Sequence, residues 1–171
     1  MKELLNDVYQ HCLGMQTLAE RKNVGIIVFN VIVSLTAIYL LKSDLNTWLQ
    51  YYVLFVLLCS LISIFLGLSA ISAQLRRKEK GNPDYKNQNL LFFGTAATYS
   101  PDEYLQQLHA AYGNNEPLTK FQEDRSRQIV VVAQIALRKF RLFNAAFMWT
   151  IAAVATPLSV VFYLIFFDNK S

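Results

Sequence analysis

Two groups of basic side chains are the residues whose type and spacing could do chemistry. One group is Arg76, Arg77, Lys78 and Lys80; the other is Arg138, Lys139 and Arg141. Between them in sequence lie the aromatics Phe92, Phe93, Tyr99 and Tyr104. Guanidinium groups pair with phosphate and aromatic faces stack on bases, so this mixture suits a nucleotide. It suits membrane topology and ordinary packing as well, and composition alone does not choose between them. Catalytic patterns are absent: there is no glycine-rich phosphate loop, no HExxH and no nucleophile elbow. Asp102, Glu103, Glu123 and Asp124 fall at helix starts or on solvated faces, where helix electrostatics account for them. His11 and His109 stand alone, and Cys12 and Cys59 fall in different segments. Neither a metal site nor a disulfide is expected from them, and the chain is expected to be no enzyme and to use no cofactor.

The elements that must position these groups are apolar helices. Of 171 residues 54% are hydrophobic and only 16% charged, an odd balance for a soluble domain. Three uncharged runs explain it: Val24–Leu41, Trp48–Ala73 and Leu142–Phe167. The last would be about 39 Å long as a helix, enough to cross a ~30 Å hydrocarbon core. The expected fold is an all-α membrane protein with three transmembrane helices. Its segments are a cytosolic amphipathic helix (1–23), a two-span hairpin (24–74), a mainly helical cytosolic segment (75–141) and a third span (142–167). That span should continue a cytosolic helix beginning near Leu118. Eleven of the sixteen Lys and Arg residues lie between Leu75 and Leu142. By the positive-inside rule this segment and the N-terminus are cytoplasmic, and the C-terminus is on the far side. The net charge of +4 is thus a matter of topology, with no nucleic acid polymer implied.

Finer features follow in order. Leu4, Leu5, Val8, Cys12, Met15, Leu18 and Ala19 form one helical stripe. Glu20 lies one turn from the membrane, placed to meet the Arg138 and Lys139 collar. Asn30, an amide in lipid, should face protein, as a packing hydrogen bond or, less simply, a pore-lining group. Ser60, Ser63 and Gly67 offer a face for close helix approach. Leu90–Thr95 suits a short strand or a re-entrant patch. Ser100-Pro101-Asp102-Glu103 is a capping box opening a helix that should bury Leu105, Leu108 and Tyr112. Ile129, Val132, Ala133, Ala136, Phe140, Phe143 and Phe147 make a stripe on the long helix, and Pro157 should kink or hinge it.

In order and spacing these features resemble the transmembrane effectors of bacterial Pycsar anti-phage systems. The resemblance rests on Glu20-Arg21-Lys22 before the first span and on the Val24–Ala73 hairpin. It continues through Phe92-Phe93-Gly94, then Asp102-Glu103-Tyr104, and Arg138-Lys139-Phe140-Arg141 running into the last span. It covers Ala19 to Phe167, departing at Asn23, where a small residue is expected, and after Arg77, where proline comes late at Pro83. The resemblance implies an effector paired with a nucleotide cyclase and responding to a cyclic pyrimidine mononucleotide, cUMP or cCMP. It would bind this second messenger on its cytosolic side, change its homo-oligomeric assembly and impair the inner membrane, arresting or killing the cell. Ligand-binding candidates are then Arg76, Arg77, Phe92, Phe93, Gly94, Tyr104, Arg138, Lys139 and Arg141. Coupling candidates are Glu20, Lys22 and Pro157, with the lipid bilayer as the second partner. The rival readings are an effector of a larger cyclic nucleotide and a non-sensing membrane scaffold or interaction subunit. A transporter is disfavoured, since no span carries an ionisable residue.

Overall fold

Two long helices carry most of the chain. The computed structural model describes residues 1–72, 89–113 and 117–167, and side chains as far as Ala155. The elements in order are α1 (Lys2–Leu41), α2 (Thr47–Ile71), α3 (Phe93–Ala96), α4 (Pro101–Tyr112) and α5 (Lys120–Phe167). No strand occurs among the described residues. Helix α1 runs 40 residues without interruption at Gly14, and α5 runs 48. The start of α5 has a local cause two residues later than the sequence suggests. The Gln122 side chain accepts the Thr119 backbone N–H at 2.8 Å, satisfying a donor that the first turn leaves open. The expected capping box of α4 is present in full, with Ser100 and Glu103 bonding each other's backbone N–H.

The chain divides into two units, the first made of Met1–Arg21 with Ala73–Phe140 and the second of Lys22–Ser72 with Arg141–Ser171. In the first, Leu5, Val8 and Cys12 of α1 pack in one core with Phe93, Tyr104 and Leu108. Ile129, Val130, Ala133 and Ala136 of α5 complete it. These positions recur at three- and four-residue spacing, so each helix turns one apolar stripe inward. Most of the expected stripe on α1 is buried, but Leu18 keeps a relative exposure of 42%.

Two expectations are corrected here. Leu90–Thr95 is no strand: Leu91 N–H donates to Asn89 Oδ1 at 3.0 Å, and Phe92 N–H to Asn89 O at 3.1 Å. This turn leads directly into the single turn of α3, with Ala96 N–H bonded to Phe92 O at 3.0 Å. On α4 the buried tyrosine is Tyr104, whereas Tyr112 is 47% exposed. Tyr104 shares the face of Leu105 and Leu108, and its hydroxyl donates to Leu90 O at 2.9 Å. Tyr112 falls in the last turn, just before the C-cap Gly113.

The second unit is built for close approach. Beyond Val53, the buried face of α2 consists of the small residues Cys59, Ser60, Ser63, Gly67 and Ala70. A Cβ at Gly67 would stand 2.7 Å from Ile27 Cγ1, so hydrogen is what lets α1 come near. Outward, the unit shows Leu54, Phe55, Leu58, Leu61 and Phe65, an apolar exterior suited to lipid. Helices α1 and α2 each contain a stretch long and apolar enough to cross a membrane. The face assignment on α4 has a measurable consequence. Leu108→Ala should destabilise the first unit by about 2–5 kcal/mol, whereas Tyr112→Ala should change stability by under ~0.5 kcal/mol. Thermal unfolding of both variants in detergent measures the contrast.

Candidate functional site

The first unit gathers part of the candidate ligand set. Arg76 and Arg77 lie outside the described residues. Phe92 is 46% exposed and Phe93 is buried beside it, ring centroids 4.7 Å apart. Phe93 also meets Phe140 of α5 at 5.7 Å. Gly94 lies under the Phe92 ring, where a Cβ would stand 2.5 Å from Phe92 Cε1. A side chain there would displace Phe92. Tyr104 is fully buried in the same core, and that burial raises its phenol pKa. In this state Phe93 and Tyr104 therefore offer no open face for stacking, while Phe92 does. Arg138 is exposed and Lys139 buried, one residue apart on α5. Arg141 belongs to the second unit.

The Lys139 ammonium donates to Glu20 Oε1, joining α5 to α1 within the first unit. The lysine side chain is only 8% exposed and the glutamate 45%. A nearly buried cation is thus met by a carboxylate that reaches it from a wetter position. Gln16, one turn earlier on α1, donates to the same oxygen at 3.3 Å. The hydrogen bond from Lys139 and then that from Gln16 hold the Glu20 carboxyl below the usual glutamate range, against partial desolvation. Lys22 belongs to the second unit, where its Nζ sits 5.5 Å from the Phe143 ring centroid. Pro157 lies within α5, with its side chain outside the described residues.

Sequence reasoning passed over Arg125. Its guanidinium stacks on Tyr9 of α1 at 4.5 Å and on Phe121, one turn earlier, at 5.5 Å. Its Nη1 donates to Gln128 at 3.1 Å. The Phe121–Arg125 spacing of four residues was a visible signal, but nothing local pointed to Tyr9. Cys12, pushed up to about 11 by burial, is held as an unreactive thiol. Among the described residues no three His, Cys, Asp or Glu side chains converge for a metal.

The second unit holds one polar knot. Asn30 Nδ2 lies 2.8 Å from Thr150 Oγ1, 3.1 Å from Ser63 Oγ and 2.8 Å from Ile26 O. Two hydrogens face three acceptors, so at least one is shared. Ser63 and Thr150 in turn both donate toward Ala146 O, at 2.8 and 3.0 Å. Among the described residues Asn30 Oδ1 and Ser34 Oγ are buried and find no partner. The amide therefore ties α1, α2 and α5 together through its donors alone.

A model of the Pycsar effector protein domain matches residues 4–166. The chain belongs to the Pycsar effector family. No curated protein and no solved structure matches it. Membership makes this chain a cyclic-nucleotide-linked anti-phage effector, and its two apolar helices associate that role with a membrane.

Two results should follow in this Pycsar effector. Removing the carboxylate by Glu20→Ala should cost about 2 kcal/mol, between the ~1 of an exposed pair and the 3–5 of a buried one. Because the folded-state pKa of Glu20 is depressed, its contribution is complete above the unfolded value. It is lost as pH falls through the folded value. Melting temperature against pH should therefore decline at acid pH in the wild type, and less steeply in Glu20→Gln. Asn30→Leu should cost about 1–2 kcal/mol, the upper range for interhelical hydrogen bonds in membranes. Heating in detergent, followed by circular dichroism, reads that loss.

Proposed function

We propose that the first unit faces the cytoplasm and binds a cyclic pyrimidine mononucleotide, cUMP or cCMP, made by a partner cyclase. In this reading residues 142–167 of α5 form a third span, the C-terminus lies outside, and the chain acts as a homo-oligomer in the inner membrane. Ligand binding shifts the oligomer to a state that impairs the membrane, arresting growth or killing the cell. The family match over residues 4–166 is the observation that carries this reading. The uneven distribution of Lys and Arg supports the orientation. The length of α5, continuous from Lys120 to Phe167, supports a connector that ends in lipid.

A ligand shifts an equilibrium only by its differential affinity for the two states. In the first unit that difference would arise at Phe92, whose exposed ring can take a base, and at Arg138, whose exposed guanidinium can take a phosphate. Phe93, Gly94 and Tyr104 would act from beneath, by fixing where Phe92 and α5 stand. Lys139 and Glu20 would set the register of α5 against α1, so that a ligand-driven change in this unit is passed along helices. The protein has no catalytic part in this scheme.

The test supplies cyclic mononucleotides one at a time to cells making the effector and follows membrane potential. Depolarisation with cUMP or cCMP alone is expected. Arg138→Ala and Phe92→Ala should each weaken the response at least tenfold while the protein still inserts. An undiminished response in both variants would remove these residues from the mechanism, and indifference to every nucleotide would leave a non-sensing scaffold.

A further inference from the structure

An apolar slot of about 550 Å³ opens between α1 and α5 in the second unit. Ile26 and Phe29 of α1 line it with Phe143, Phe147, Ile151 and Val154 of α5. Thr150 lines it too, its hydroxyl already bonded to Ala146 O and to the Asn30 amide. From Phe143 to Val154 the slot follows about 16 Å of helix, roughly half of a ~30 Å hydrocarbon core. At one end stands a cation: Lys22 precedes Ile26 by one turn and places its ammonium over the Phe143 ring at 5.5 Å. Arg141 lies two residues before Phe143. An apolar trough one leaflet deep with positive charge at its mouth matches an acyl chain hanging beneath an anionic phosphate.

We propose that this slot is a binding site for one anionic phospholipid, with its phosphate at Lys22 and an acyl chain along Phe143–Val154. The proposal rests on reading α1 and α5 as membrane-embedded. Charge favours lipid over a second copy of the chain as occupant. Among the described residues of this unit the one acidic side chain is Asp44, beyond the end of α1, whereas Lys22 is about 28 Å back along that helix. The nearest carboxylate on α1, Glu20, is already bonded by Lys139 and Gln16. A copy at the same depth therefore brings no uncommitted carboxylate to the mouth of the slot, whereas a phospholipid brings its phosphate there. Because Thr150 belongs both to the slot and to the Asn30 knot, a seated chain would also brace the contact that ties α1 to α5.

Native mass spectrometry of the full chain, extracted in mild detergent from membranes containing phosphatidylglycerol and phosphatidylethanolamine, tests this. One retained phospholipid per chain is expected, enriched in phosphatidylglycerol. Lys22→Gln should lower that enrichment about fivefold, the effect of one basic residue near the membrane surface. Ile151→Trp, which fills the slot from a half-exposed position, should abolish retention while Lys22→Ala leaves a headgroup-indifferent lipid. Equal enrichment in wild type and Lys22→Gln, or unchanged retention in Ile151→Trp, would overturn the site. A dimer that Ile151→Trp converts to monomer would assign the slot to a second copy and overturn it as well. Release of the wild type by alkaline carbonate would overturn the membrane reading itself, a result distinct from an inserted protein that retains no lipid.

Discussion

A cation taken out of water must be met by an anion, and the nearly buried Lys139 is met by Glu20, 119 residues away in sequence. That requirement ties the last turn of the first unit on α5 to its last turn on α1. Apolar packing by Ile129, Val130, Ala133 and Ala136 could tolerate a small slide of one helix along the other. A charged pair tolerates it poorly, because an ammonium moved by one residue is left in apolar surroundings. The pair therefore acts as a register mark for the first unit of this Pycsar effector.

The second unit solves a related problem with an amide. Apolar side chains gain little by facing one another when lipid is equally apolar, so close approach and hydrogen bonds must hold the helices. Gly67 supplies the approach, and Asn30 supplies donors to Ser63 and Thr150. Among the described residues Asn30 Oδ1 and Ser34 Oγ find no partner, which leaves this knot incompletely satisfied there. A contact of that kind is specific without being strong.

The candidate ligand residues divide by burial. Phe93 and Tyr104 belong to the core that fixes α3 and α4 against α1 and α5, and Phe92 and Arg138 stand at its surface. Sequence order had grouped them by chemistry alone. Packing separates the residues a ligand can reach from those that hold the reachable ones in place. Arg125, stacked between Tyr9 and Phe121, adds a cation that unites α1 with α5 in the same unit.

From the sequence alone came the helical class, two of the three apolar spans it called for, the capping box at Ser100 and the pairing of Glu20 with the basic collar. Each follows from local chemistry: uncharged runs of span length, a serine three residues before glutamate, opposite charges one turn outside the membrane. The family resemblance was legible for the same reason, since it lies in the order of short elements along the chain. Tertiary structure decided what periodicity could not. Leu90–Thr95 has β-compatible residues, yet an Asn89 turn leads it into α3. Tyr104 and Tyr112 share a helical face by spacing, but only Tyr104 falls where α1 and α5 cover it. The stacking of Tyr9 on Arg125 and the small-residue fit at Gly67 likewise depend on which helices meet, a property of distant segments that no local window contains.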